Sequence, residues 1–199
     1  NIVSPDDAKA HMAKDMILTI IGKISVEGAN YMTMEFAGDG VYSLSMDERM
    51  TLCNMVIEAG AKNGVISPDK KTISYVVSHT KKSFEIVEND HDARFRDITY
   101  FKSNGLVPMV AKPHSPDNTA PARDLKAIKL DRCYIGSCTG GKLDDFKAAA
   151  RILKGNKVVT DTYIVPATVA VADTIKNERL DGMTLLDVFT DAGAKIGEP

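Results

Sequence analysis

The 199-residue chain carries 25 Lys and Arg against 27 Asp and Glu, with 3 Cys, 44% apolar residues and a net charge of −2. That size excludes three domains and allows one or two, with a core that needs no disulfide staple, and the composition excludes a disordered chain. The charge balance lacks the basic stripe of a nucleic-acid binder, no apolar run reaches the ~18 residues of a membrane span, and an odd Cys count suits a reducing, cytoplasmic setting.

Ser4-Pro5-Asp6-Asp7 has the form of a helix start, with acids in the positive first turn. Helical spacing then runs through Met12, Met16, Ile17, Ile20 and Ile21 to about Gly22. Tyr31 to Phe36 alternates and predicts a strand. Ser45 and Glu48 form a capping box for a second helix, carrying Met50, Leu52, Cys53, Val56 and Ile57 and ending at Gly60. Gly64-Val65-Ile66 predicts a short buried strand, residues 72–77 a helix, residues 81–100 a charged exposed stretch, and residues 105–110 a strand. The segment from Lys112 to Arg123, with Pro113, Pro116 and Pro121, reads as a linker or ordered loop and a domain boundary. Beyond it, a strand at Cys133-Tyr134-Ile135 runs into a small-residue loop. A helix over 143–153, a strand region from Val158 to Val165, and helices near 168–177 and 184–192 follow. The chain begins at Asn1 rather than Met and closes on Gly197-Glu198-Pro199, which reads as part of a longer polypeptide.

An internal repeat runs through these elements. Glu58-Ala59-Gly60-Ala61-Lys62 recurs 133 residues later as Asp191-Ala192-Gly193-Ala194-Lys195, with Thr51-Leu52 at Thr184-Leu185 and Gly64 at Gly197. Ala-Gly-Ala-Lys is also an ordinary helix ending. The matched order of elements favours two copies of one α/β unit.

The strongest local signal for chemistry is Gly136-Ser137-Cys138-Thr139-Gly140-Gly141, which follows a strand and opens a helix. Its small residues let backbone approach a ligand closely, and a helix start there favours an anion or a thiolate. A phosphate loop or a tight turn with an incidental Cys fits the spacing as well. It is neither a Walker A loop nor G-x-G-x-x-G. Cys133 and Cys53 read as small core residues. Asn54 and Glu58, spaced i,i+4, read as two polar groups on one helical face. His11, His79, His91 and His114 form no ligand spacing.

The stretch from Tyr134 to Ala150, with Gly-Ser-Cys-Thr at its head, closely resembles the aconitase superfamily and is most similar to its isopropylmalate dehydratase branch. Ala13–Leu18 with Ile24–Ala29, Met34–Phe36 with Ser45–Met55 and Gly64–Ile66, and Val165–Thr168 agree with it in order along nearly the whole chain. The resemblance implies two related three-layer α/β/α units, residues 1–122 as the family's second domain and 123–199 as the start of its third. It implies a [4Fe–4S] cluster held on three cysteines, one of them Cys138 with Ser137 and Thr139 beside it. One open iron would act as a Lewis acid while water leaves and returns to a hydroxy-acid. Asn54 and Glu58 take the places of the family's Asn and Glu, which orient water and hydrogen-bond the departing hydroxyl. The partner implied is the small subunit of a two-subunit enzyme. The family's C-x-x-C pair and N-terminal third have no counterpart here, so the chain alone is expected to be cluster-free and inactive. Homoaconitate and dimethylmalate are the competing substrates. A cluster-free interaction module and a Cys138 nucleophile are the competing classes.

Overall fold

Helix α1 (Ala13–Ile24) buries the stripe its spacing predicts, with Ile17 and Ile21 fully enclosed. The computed structural model describes residues 12–103 and 105–199, so the helix start expected at Ser4–Asp7 lies outside the described residues. The chain divides into two compact units, Asn1–Asp124 and Leu125–Pro199.

In the first unit α1 is followed by β1 (Thr33–Glu35), a short α2 (Asp39–Ser43), α3 (Met46–Asn54), β2 (Asn63–Val65), α4 (Lys70–His79), β3 (Met109–Ala111) and β4 (Thr119–Pro121). The Asp15 carboxylate accepts from the Met12 N–H at 2.8 Å and the Met109 N–H at 2.7 Å, tying the start of α1 to β3. The core gathers Met16, Ile17 and Ile21 of α1 with Val41, Leu52, Val56 and Ala59. β1 and β2 run parallel, from Thr33 opposite Asn63 to Glu35 opposite Val65. β2 differs from the buried strand expected. Among the described residues β1 is the strand paired with it, and Asn63 and Val65 are exposed.

The capping box at α3 forms as the sequence predicts. Ser45 Oγ accepts from the Glu48 N–H at 3.2 Å and Glu48 Oε2 accepts from the Ser45 N–H at 3.0 Å. Beyond Asn54 the helix tightens into a 3-10 turn over Met55–Ala59 and ends at Gly60, which is left-handed at φ 81°. Gly suits that left-handed φ, and a Cβ there would also stand 3.1 Å from the Val26 carbonyl oxygen. Buried Arg49 forks onto Asp69, the N-cap of α4, at 2.9 and 2.6 Å. It also donates to Thr72 Oγ1 at 3.1 Å and to the Tyr42 carbonyl at 2.8 Å.

The Pro-rich segment is no free linker. β4 pairs antiparallel with β3, the Asp117 carboxylate accepts from the Val26 N–H at 3.3 Å, and Asn118 Nδ2 donates to the Pro113 carbonyl at 2.9 Å. These bonds build it into the first unit, and the two units divide only after Asp124.

The second unit comprises β5 (Arg132–Gly136), a single turn α5 (Ser137–Gly140), α6 (Leu143–Leu153), β6 (Asp161–Val165), α7 (Val169–Ile175), a hairpin of β7 (Arg179–Leu180) and β8 (Met183–Thr184), α8 (Leu185–Ala192) and β9 (Lys195–Ile196). β5, β6 and β9 make one parallel sheet in that order. Phe146 and Phe189 meet edge to face at 5.9 Å in a core with Ile164, Ile175, Leu185 and Val188. The strand expected from Val158 starts instead at Asp161. Residues before it turn outward, with Val158 N–H bonded to the Ala192 carbonyl and Val159 99% exposed. The fold is α/β with parallel strands. In each unit a helix leads into a strand, a second helix and a parallel partner strand: α1, β1, α3 and β2, then α6, β6, α8 and β9. Gly60 and Gly193 are the left-handed caps at equivalent positions, as the repeat predicts. Among the described residues no helix is long and apolar enough to cross a membrane.

Candidate functional site

The Gly-Ser-Cys-Thr loop leaves the C-terminal end of β5, where open α/β sheets place ligands. It does not lead directly into a long helix. Residues 137–140 close a turn of their own, and α6 starts separately at Leu143. Ser137 sits at φ 75°, a left-handed conformation that costs a non-glycine residue about 1–2 kcal/mol. Its Oγ faces the Thr139 and Gly140 N–H groups at 3.4 Å each and lies 3.2 Å from Thr139 Oγ1. The Cys138 thiol is exposed.

The flanking glycines are dictated by packing. A Cβ on Gly136 would stand 2.5 Å from the Val165 carbonyl oxygen. One on Gly141 would stand 2.6 Å from the Ser137 carbonyl oxygen and 3.0 Å from that of Val165. Backbone therefore passes backbone where β5 and β6 end, and the turn is held against the sheet with its thiol outward. Beneath it, Lys142 is buried and its Nζ donates to the Cys138 carbonyl at 2.7 Å and the Thr139 carbonyl at 3.4 Å. Its position four residues after the Cys, at the start of α6, is the signal that could have drawn attention to it.

In the first unit Asn54 is the last residue of α3 and Glu58 lies in the 3-10 turn, both exposed. The tightening changes their relation. In an α-helix residues four apart lie about 40° apart around the axis, whereas in a 3-10 helix they lie about 120° apart. The two groups remain on adjoining turns, with exposed Ile57 more nearly in line with Asn54. They are not the single-face pair the spacing predicts.

Cys53 is half-buried, and burial pushes its thiol pKa up, consistent with an inert packing role. Cys133 is also half-buried rather than enclosed, because its strand edges the sheet. His79 stacks on Tyr75 at 4.1 Å and bonds to that residue's carbonyl at 2.8 Å, a local helix contact. His11 lies outside the described residues. Among the described residues no three His, Cys, Asp or Glu side chains group as a metal site. Of the three cysteines, Cys138 is the exposed one.

The chain matches the aconitase family (aconitate hydratase) over residues 7–199. It is 53% identical over 186 residues to the chloroplastic 3-isopropylmalate dehydratase large subunit of Arabidopsis thaliana, covering 91% of this chain and 36% of that protein. It is 45% identical over 188 residues to the 3-isopropylmalate dehydratase large subunit of Desulfitobacterium hafniense, covering 94% of this chain and 44% of that protein. To the 3-isopropylmalate dehydratase large subunit 1 of Pyrococcus furiosus it is 43% identical over 191 residues, again 94% of the chain and 44% of the relative. The chain thus spans less than half the length of these curated relatives. With the match running over nearly every residue and both units built on parallel α/β pairs, the chain belongs to the aconitase family.

Proposed function

We propose that this chain is part of the large subunit of a [4Fe–4S] hydro-lyase that interconverts 2-isopropylmalate and 3-isopropylmalate by dehydration and rehydration, working with a small subunit. The observation that carries the reading is the exposed Cys138 thiol on a backbone-packed turn at the end of a parallel strand, in a chain 43–53% identical to 3-isopropylmalate dehydratase large subunits. The donor set fits a cluster in one place only. Cys138 would supply one thiolate; among the described residues no three His, Cys, Asp or Glu side chains group as a metal site, so the other ligands would have to come from elsewhere. When bound, the cluster supplies an iron with an open position, a Lewis acid for carbon–oxygen cleavage.

This chain's own residues have separable tasks in that reading. Cys138 holds the group, and the Ser137 and Thr139 hydroxyls border it. The exposed Glu58 side chain gives a proton to the departing hydroxyl oxygen as a carboxylic acid, or takes one from water as a carboxylate. The exposed Asn54 amide offers both a donor and an acceptor, and orients that water or a substrate carboxylate. Residues 1–122 and 123–199 take the parts of the family's second and third domains. Free thiols and an iron–sulfur group both call for a reducing compartment, the cytoplasm or, as for the Arabidopsis relative, a plastid.

The full-length protein with its small subunit, reconstituted anaerobically, tests this. Turnover of 3-isopropylmalate is expected to exceed that of homoaconitate and 2,3-dimethylmalate. Cys138→Ser should lose cluster absorbance and activity, and Glu58→Gln should keep the cluster while kcat falls about 10²–10⁴-fold. Turnover of homoaconitate or dimethylmalate in preference to 3-isopropylmalate, or a cluster undisturbed by Cys138→Ser, overturns it.

A further inference from the structure

We infer that Lys142 is a positioning residue for the Cys138 turn, its buried ammonium fixing the direction in which the thiolate is offered to the cluster; this rests on Cys138 being a cluster ligand. Lysine is among the side chains least often enclosed, yet Lys142 is 9% exposed. Its Nζ donates to the carbonyls of both Cys138 and Thr139, at 2.7 and 3.4 Å. Its own N–H is held by Asp145 Oδ2 at 3.0 Å, so the same residue anchors the start of α6.

The turn needs such a tie. It is four residues long, it contains a left-handed non-glycine residue at Ser137, and the Ser137 Oγ contacts across it are long, 3.4 Å to the Thr139 and Gly140 N–H groups and 3.2 Å to Thr139 Oγ1. Lys142 Nζ adds a short bond, 2.7 Å, to the Cys138 carbonyl. Closing a turn does not by itself call for a charge, because a neutral donor satisfies a carbonyl at a lower desolvation cost. A cation suits a turn whose exposed ligand is an anion. It neutralises the negative ends of the two peptide dipoles below the thiolate and adds positive potential to a site that collects negative charge.

Three variants of the full-length protein, with its small subunit, decide this. In Lys142→Met, amides across residues 137–141 of the cluster-free protein should exchange about tenfold faster while α6 and the core keep their protection. After reconstitution with iron and sulfide, the cluster's electron paramagnetic resonance signature should change and its reduction potential shift negative. Lys142→Arg should restore exchange, signature and potential. Lys142→Gln, a donor without charge, should keep the exchange protection and show the shifted potential, and it stands in for the Met variant if that one does not fold. Wild-type potential and signature in a folded Met or Gln variant overturn the inference, as does a folded Arg variant that restores neither. Cys138→Ser run alongside separates the two claims: an unaltered cluster there defeats the ligand reading, whereas cluster loss there with silent Lys142 variants defeats only the positioning role.

Discussion

Replacing Asp69 by Asn leaves a buried guanidinium without its counter-charge, and the structure sets how much that costs. Arg49 is 3% exposed and Asp69 33%. Removing one member of a buried pair typically costs about 3–5 kcal/mol. Asn still caps α4, since its side-chain oxygen can accept from the Thr72 N–H, and water reaches this position. The expected loss is therefore at the low end, about 3 kcal/mol. Arg49→Met is the informative contrast. It removes the charge together with a buried Nε that has no hydrogen-bond partner. It leaves Asp69 open to water and the Tyr42 carbonyl still bonded to Lys71 at 3.1 Å. Because Asp69 is 33% exposed, its carboxylate is rehydrated when Arg49 goes, so a smaller cost of about 1 kcal/mol is expected. Urea unfolding followed by circular dichroism measures both. With a slope near 2 kcal/mol/M, Asp69→Asn should lower the first unit's midpoint by about 1.5 M.

The pH dependence supplies the sign. The Arg49 guanidinium holds the Asp69 carboxyl well below the usual carboxylate range. Its contribution is fully present above the unfolded value of about 3.9 and is lost as pH falls toward the folded one. The gap between wild type and Asp69→Asn should be constant from pH 5 to 7 and narrow below about pH 4. A loss under about 1 kcal/mol, a gap that ignores acid, or Arg49→Met proving the worse variant would refute the reasoning.

Two further outcomes are expected. Gly60→Ala places a Cβ against Asn30 and the Val26 carbonyl at φ 81°, and should cost about 2 kcal/mol, whereas Gly155→Ala at φ 75° meets nothing within 4 Å and should cost about 1 kcal/mol; equal thermal shifts would remove the packing argument. Against a disulfide reagent near pH 8, exposed Cys138 should label first. Cys53, whose pKa burial raises, should label only as the first unit opens, and comparable rates for the two would contradict that burial.

What the sequence made legible was whatever a single residue type commits locally. Ser45 with Glu48 announced the start of α3, Gly60 and Gly193 announced two left-handed ends, and Gly-Ser-Cys-Thr announced a turn between strand and helix. What was missed depends on partners distant in the chain. The Pro-rich segment reads as a linker or an ordered loop, and only its pairing with β3 decides for the ordered form. Arg49 carries no local mark of burial, because its partner Asp69 lies 20 residues further on. The switch from α to 3-10 geometry after Asn54 has no marker in residue type, so the relation of Asn54 to Glu58 was drawn on the wrong helical wheel. One hairpin was overlooked despite a local sign. Asp181-Gly182, at φ 48° and 90°, is the dipeptide that a tight β-turn prefers.

The repeated helix–strand unit carries a lesson about how a duplicated element becomes available for new work. In the 133-residue frame Asn54 corresponds to Asp187 and Glu58 to Asp191. Asp187 is occupied: its carboxylate accepts from the Thr184 N–H at 3.3 Å and serves the start of its own helix. Thr184 corresponds to Thr51, six positions after Ser45, where α3's cap lies. By beginning earlier, α3 hands the capping duty to Ser45 and Glu48 and releases its later positions from it. A longer first copy turns a residue that must hold up its own helix into one that can face outward, and Asn54 is the vacancy so created.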